Sequence, residues 1–156
     1  MGSNLGDPLE NCRRGIAAVD DNRHATVLAV SRFYRTAPVD FTDQAWFVNA
    51  AVKIATRLPP LELLAVIQAI QAAAGTTPKT VRFGPRELDL DILLFDQWML
   101  NWPHLQIPHP RLHKRHFVLR PLCDIDPTIF HPTLRCRMDR LLAELDTSGQ
   151  DIMACP

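Results

Sequence analysis

Leu9, Cys12, Ile16 and Val19 recur at the three-to-four residue spacing of a helix with one buried face, with mostly polar residues between them. Asp7-Pro8 stands just before this run. Aspartate can cap a helix and proline suits its first position, so the spacing predicts an amphipathic helix over roughly 8–20. From Thr26 to Tyr34, β-branched and aromatic residues are frequent and predict a strand. A polar, proline-broken loop follows from Thr36 to Gln44. From Phe47 to Thr56 the pattern alternates, with Val48, Ala50, Val52 and Ile54 on one face and Phe47, Asn49, Ala51 and Lys53 on the other. That predicts a second continuous strand.

Pro59-Pro60 opens a second helix, carried by Leu61, Leu64, Ile67 and Ile70 and closed at Gly75. A loop from Thr76 to Arg86 leads to a third predicted strand, Leu88 to Phe95, which Asp96-Gln97 turns towards Trp98-Met99-Leu100. A proline-rich loop from Trp102 to Pro110 precedes a short helix around Lys114 to Asp124. A last helix, Met138 to Leu145, and a polar tail over 146–156, a candidate flexible end, complete the chain. This order of elements implies an antiparallel sheet covered by helices on one side.

Composition narrows the class. The 156 residues make one domain, 1–156, large enough to bury a core without disulfide or structural metal. Lys plus Arg and Asp plus Glu are 17 each, so the net charge is zero. A nucleic-acid or membrane-surface binder would carry a basic excess, so neither partner is expected. Any anion must be held by local clustering of charge. No stretch is long and apolar enough to cross a membrane, and no basic-then-apolar leader opens the chain, so the expected location is the cytoplasm. Cys12, Cys123, Cys136 and Cys155 form no C-x-x-C pair and read as idle thiols. Most of the thirteen prolines follow residue 58, so the second half should hold long ordered loops.

The candidate chemistry begins at Asp89 and Asp91. Two residues apart on a strand, they leave the same face, while Leu88, Leu90 and Ile92 leave the other for the core. Adjacent carboxylates on one sheet face repel, a cost that a purely structural strand has no reason to carry. Hard oxygens of this kind suit Mg²⁺, which keeps waters and substrate phosphates in its shell. An ordinary solvated face is equally compatible with the pair alone. Arg82 and Arg86, on a Gly-Pro loop just before it, tilt the balance towards a phosphate clamp facing a metal. His109, Arg111, His113, Lys114, Arg115 and His116 form a second basic group suited to anions, with Arg111 and His113 read as part of a solvated helix face. Phe47 and Asn49 share a strand face, and an aromatic with an amide can hold a flat heterocycle, although such a phenylalanine is more often core.

Five blocks then occur in one order: Gly2-Ser3-Asn4-Leu5; Phe33-Tyr34-Arg35-Thr36-Ala37-Pro38; Phe47-Val48-Asn49-Ala50-Ala51-Val52; Arg82-Phe83-Gly84-Pro85-Arg86 with Leu88-Asp89-Leu90-Asp91-Ile92; and Ile107-Pro108-His109-Pro110-Arg111-Leu112 with Arg115 and Phe117. Together, over about residues 2–130, they closely resemble the 6-hydroxymethyl-7,8-dihydropterin pyrophosphokinases of folate biosynthesis. The resemblance implies an α+β fold, a ferredoxin-like sandwich with an antiparallel sheet flanked by helices. It also implies transfer of the β,γ-pyrophosphoryl group of ATP, the co-substrate, to the pterin hydroxymethyl, leaving AMP. By the same resemblance Asp89 and Asp91 would hold two Mg²⁺ ions, and Arg86 would be catalytic, closing over the phosphates. Phe47 and Phe117 would sandwich the pterin, with Thr36, Pro38, Val39 and Asn49 completing its pocket. Gln68, Lys79, Phe83, Arg86, Ile92, His104, His109 and Arg115 match nucleotide-side positions. The small-molecule substrates are the expected partners, and a monomer the expected state.

Three departures from the family pattern stand out. Members usually carry a first strand before Gly-Ser-Asn-Leu, and Met1 stands where it would end, so the expectation is a start further upstream or a fragment. Gly75-Thr76 replaces the usual Gly-Arg, with Gln71 in place of an acidic residue and Pro78 in place of an arginine, so slow turnover is expected. His104 replaces an arginine and would give a weaker, pH-dependent contact. Besides an active enzyme, a degenerate paralogue that binds nucleotide or pterin without efficient transfer fits these departures. A Mg²⁺-dependent nuclease would need a basic groove that zero net charge does not supply.

Overall fold

The computed structural model describes residues 1–39, 42–75 and 84–156. Those residues form an α+β arrangement of four α-helices and antiparallel strands. Helix α1 (Pro8–Asp20) starts as its sequence predicts: the Asp7 side chain accepts a hydrogen bond from the Glu10 amide at 3.1 Å, and Pro8 occupies the first turn. Its inner face carries Cys12, Gly15 and Val19. A Cβ at position 15 would come within 2.9 Å of Leu88 Cδ1, so glycine is what lets α1 approach that side chain.

The two long predicted strands are each broken. Thr26–Tyr34 becomes β2 (Ala25–Val30) and β3 (Tyr34–Thr36), and Phe47–Thr56 becomes β4 (Phe47–Asn49) and β5 (Val52–Thr56). Ser31 is the cause at one side of the break. Its amide donates to the Ala51 carbonyl at 3.0 Å, while its hydroxyl, rather than a carbonyl, accepts from the Ala51 amide at 2.9 Å. A side chain thus replaces one rung of the ladder and lets the strands bend away from each other. The halves serve separate sheets. With β1 (Gly2–Ser3) and β10 (Ile152–Ala154), β3 and β4 form a four-stranded sheet in the order β1-β4-β3-β10, while β2 pairs with β5. The stretch read as a polar tail therefore supplies a strand, with Met153 opposite Arg35.

Leu88–Phe95 does not become a strand. It touches β1 through one bridge, Gly2 opposite Asp89, and the Leu90 amide donates to Gln71 Oε1 of helix α2 (Pro60–Ala73) at 2.7 Å. A groove of about 700 Å³, lined by Ile54, Ile92 and Leu94 among others, lies between the segment and β5. The predicted loop 102–110 holds part of a hairpin, β6 (Leu100–Trp102) and β7 (Leu105–Ile107). A second short hairpin, β8 (Phe130–His131) and β9 (Cys136–Arg137), precedes α4 (Met138–Glu144).

Among the described residues, burial is divided between two clusters. Val19, Leu63, Ile67, Leu88 and Leu90 join α1 and α2 to the segment that carries the aspartates. Leu112, Leu119, Leu122 and Met138 join α3 (His116–Ile125) and α4 around Ala51. The aspartate segment packs into both clusters, through Leu88 and Leu90 on one side and Leu93 and Leu94 on the other, while Phe117 at the start of α3 packs against the second cluster.

Candidate active site

A cavity of about 220 Å³ is lined by residues from the four-stranded sheet, the aspartate segment and the start of α3. Part of its lining is neutral. Thr36, Pro38, Val39, Phe47, Asn49 and Phe117, all expected around the pterin, line it. Thr36 lies opposite Phe47 in the β3–β4 ladder, and Asn49 lies between Tyr34 on β3 and Gly2 on β1. The buried Asn49 amide donates to Thr36 Oγ1 at 2.7 Å. Its carbonyl oxygen lies where a Cβ on Gly2 would stand, so the glycine makes room for the amide. Phe117 sits in the first turn of α3, with the Arg115 guanidinium 5.3 Å from its ring centroid. A flat wall and oriented polar groups suit a planar heterocycle with hydrogen-bonding edges.

Another part is charged, and it meets the neutral part where Arg115 lies over Phe117. Arg86, Asp89, Asp91, His109, Arg111 and Arg115 line the same cavity. Asp91 is exposed, whereas Arg86 is buried and forms an ion pair with Asp89 at 2.8 Å. That guanidinium offsets the charge of Asp89, while Asp91 keeps its carboxylate in solvent. The Arg86 Nε also donates to the Gly84 carbonyl at 3.3 Å. His109 is tied to the segment by its amide, which donates to the Leu93 carbonyl at 2.9 Å. Burial holds its imidazole below the usual pKa; Asp91 opposes that shift, and Arg115 and Arg111 reinforce it. Its Nδ1 accepts from the Arg111 amide at 3.1 Å, leaving Nε2 to carry the proton of the neutral ring.

Among the described residues no group of three or more His, Cys, Asp or Glu is placed to hold a metal ion. Asp89 and Asp91 nevertheless fit Mg²⁺ by donor type: both offer hard oxygens at the cavity, and this ion takes its remaining ligands from water and phosphate.

Other residues expected near the nucleotide stand apart from the cavity. Gln68 is exposed on α2, His104 is exposed in the β6–β7 turn, and Ile92 faces the groove beside β5. Lys79 and Phe83, with Arg82, Thr76 and Pro78, lie outside the described residues. Arg111, read from the sequence as part of a solvated face, lines the cavity instead. His113 meets His131 edge-on, with ring centroids 6.1 Å apart. Gln44 also lines the cavity, and sequence reasoning passed over it because a glutamine in a polar loop carries no pattern. The α2 residue Gln71, noted as a departure, is the acceptor that holds the Leu90 amide between the two aspartates.

An α+β fold that faces paired carboxylates and arginines with an aromatic-and-amide pocket has the features of a phosphate-transferring enzyme. The chain belongs to the 7,8-dihydro-6-hydroxymethylpterin-pyrophosphokinase family, whose profile matches residues 1–127. It is 46% identical over 125 residues to the 2-amino-4-hydroxy-6-hydroxymethyldihydropteridine pyrophosphokinase of Bacillus subtilis, covering 80% of this chain and 74% of that protein. The protein of the same name from Pseudomonas aeruginosa is 39% identical over 149 residues, covering 96% of this chain and 91% of its own length. A folic acid synthesis protein, fol1, of Schizosaccharomyces pombe is 37% identical over 149 residues, 96% of this chain but 20% of that longer protein.

Proposed function

We propose that this protein transfers the β,γ-pyrophosphoryl group of ATP to the hydroxymethyl oxygen of 6-hydroxymethyl-7,8-dihydropterin in folate biosynthesis. The hydroxyl oxygen forms a bond to the β-phosphorus and loses its proton to solvent water. The bond from that phosphorus to the oxygen shared with the α-phosphate breaks, and AMP leaves with that oxygen. Family membership and the names of the relatives support the reaction. The observation that carries the assignment of residues is the single cavity that faces a neutral aromatic–amide half with a carboxylate–arginine half.

In this reading Phe47 and Phe117 flank the pterin, while Asn49 and Thr36 meet its polar edge, fixing the hydroxymethyl towards the charged half. Arg86, Arg115 and His109 meet phosphate oxygens, and Arg86 exchanges part of its pairing with Asp89 for the phosphates. Asp89 and Asp91 would hold two Mg²⁺ ions, whose charge would offset that of the triphosphate. No side chain is assigned as a dedicated general base; positioning and electrostatics carry the step. The fold belongs with the ferredoxin-like sandwiches, and the protein works as a cytoplasmic monomer.

The test is product analysis with ATP, Mg²⁺ and 6-hydroxymethyl-7,8-dihydropterin, with Asp91→Ala as control. AMP and pyrophosphorylated pterin should form only when all three are present and Asp91 is intact. Folded protein that binds ATP yet yields no AMP would overturn the reaction and leave a binder.

A further inference from the structure

We infer that Asn4 is a positioning residue that couples the pterin side of the cavity to its nucleotide side. This rests on the proposed function in one respect, that both substrates occupy this cavity. Asn4 is 4% exposed and is not among the cavity-lining residues, so it has no direct role in the chemistry. Its side chain is nevertheless fully engaged on two sides. The Oδ1 accepts from the Arg86 amide at 2.9 Å, while the Nδ2 donates to Gln44 Oε1 at 3.0 Å and to the Ala45 carbonyl at 3.1 Å. The Asn4 backbone amide adds a bond to the Arg86 carbonyl at 3.1 Å.

These partners fix the direction of the amide. A flipped side chain would set its NH₂ against the Arg86 N–H and its oxygen against two acceptors. Asparagine is the residue that accepts on one side and donates twice on the other at this length. Aspartate only accepts, and leucine does neither.

What Asn4 joins gives the bridge its meaning. Gln44 lines the cavity and, with Ala45, leads into β4, which begins at Phe47 beside the expected pterin. Arg86 lines the cavity from the other side and holds Asp89. A ligand that draws residues 44–47 inward therefore pulls on the Arg86 backbone, and one that recruits Arg86 pulls on residues 44 and 45. Two ligands that bias one shared element raise each other's affinity by the same factor.

The experiment measures that factor. The Kd of Mg²⁺·α,β-methylene-ATP, whose carbon bridge replaces the oxygen at the bond to be broken, is determined with and without 6-hydroxymethyl-7,8-dihydropterin. The reciprocal pair is measured as well. Each ligand should tighten the other in the unaltered protein. In Asn4→Asp, which keeps the acceptor for Arg86 but loses both donors, mutual tightening should fall by on the order of tenfold while each single affinity changes little. Gln44→Leu, which removes one of the two acceptors from the less buried end, should lose part of the same factor. It decides the matter if Asn4→Asp does not fold. Variants that bind both ligands more weakly but keep the mutual factor would overturn the coupling role and leave a structural one. Binding of both ligands to the unaltered protein without mutual tightening would also overturn it, and would leave the proposed function standing. Failure of the unaltered protein to bind either ligand would overturn the proposed function and this inference together.

Discussion

Asn49 and Thr36 stand on β4 and β3, whose ladder and shared 2.7 Å hydrogen bond orient the neutral wall before any ligand arrives. Asp89 and Asp91 stand on an extended segment that meets β1 at one bridge and is otherwise tied by scattered bonds, such as the His109 amide to the Leu93 carbonyl and Gln71 to the Leu90 amide. The difference follows from what each half must hold. A neutral planar ligand can be met by fixed dipoles, and a sheet fixes dipoles at little cost. Neighbouring like charges repel, and here the Arg86 guanidinium neutralises Asp89 while solvent meets Asp91. A phosphate ligand must then compete with Asp89 for Arg86, whereas a neutral one meets dipoles already set by the β3–β4 ladder.

That contrast can be broken by substitution on either side. Asp91→Ala should have the largest effect, lowering AMP formation by roughly 10²–10³-fold. Pterin affinity, read by fluorescence titration, should barely move. An equal loss of pterin affinity would show that the halves are not separable. Asn49→Ala comes next, weakening pterin binding by roughly 10–100-fold, because it removes the aligned amide and leaves the buried Thr36 hydroxyl without its donor. Its affinity for Mg²⁺·α,β-methylene-ATP should stay close to that of the unaltered protein.

Gln71→Leu sharpens the comparison from the charged side. It deprives the Leu90 amide of its acceptor, a loss of about 1–3 kcal/mol in stability. Nucleotide affinity should drop several-fold, with pterin affinity unchanged by calorimetric titration. The smallest effect belongs to a region outside both halves. His131, buried, accepts from the Leu134 amide through Nδ1; its pKa is lowered by burial and by His113, whose own pKa is lowered by burial and Lys114. The unfolded chain takes protons on these rings near the ordinary value of 6.5, and the folded protein does so only at lower pH. Stability is therefore full above that value and declines as pH falls below it, until the folded rings titrate. Melting temperature should drop by a few degrees between neutral pH and the mid-fives, and His131→Asn should flatten the decline.

How far the sequence was legible depended on whether a feature is local. Helix α1 was readable because Asp7, Pro8 and four apolar positions all act within the same few turns. The facing of Asp89 and Asp91 was readable as well, since alternation holds in an extended segment even without a ladder. The broken strands were not, because the break lies in Ser31 substituting its hydroxyl for a carbonyl, a choice made against Ala51 twenty residues away. Strand β10 was equally hidden: Ile152–Ala154 has no pattern of its own and takes its form from the edge of β3. Asn4 looked like one letter of a motif. Its use became visible only when Arg86, 82 residues further on, came to lie against it.

The chain is neutral overall, with 17 charges of each sign, yet Arg86, Arg111 and Arg115 converge on one cavity with Asp89 and Asp91. Such an arrangement has almost no reach. Its field is nearly cancelled at a distance, and the screening length at physiological ionic strength is about 8 Å. A nucleotide is therefore not steered in from solution and arrives at the rate of ordinary diffusion and docking. Once inside, it meets partly buried charges that salt screens poorly. Affinity is then set by how long the nucleotide stays, and added salt should leave its arrival rate almost untouched.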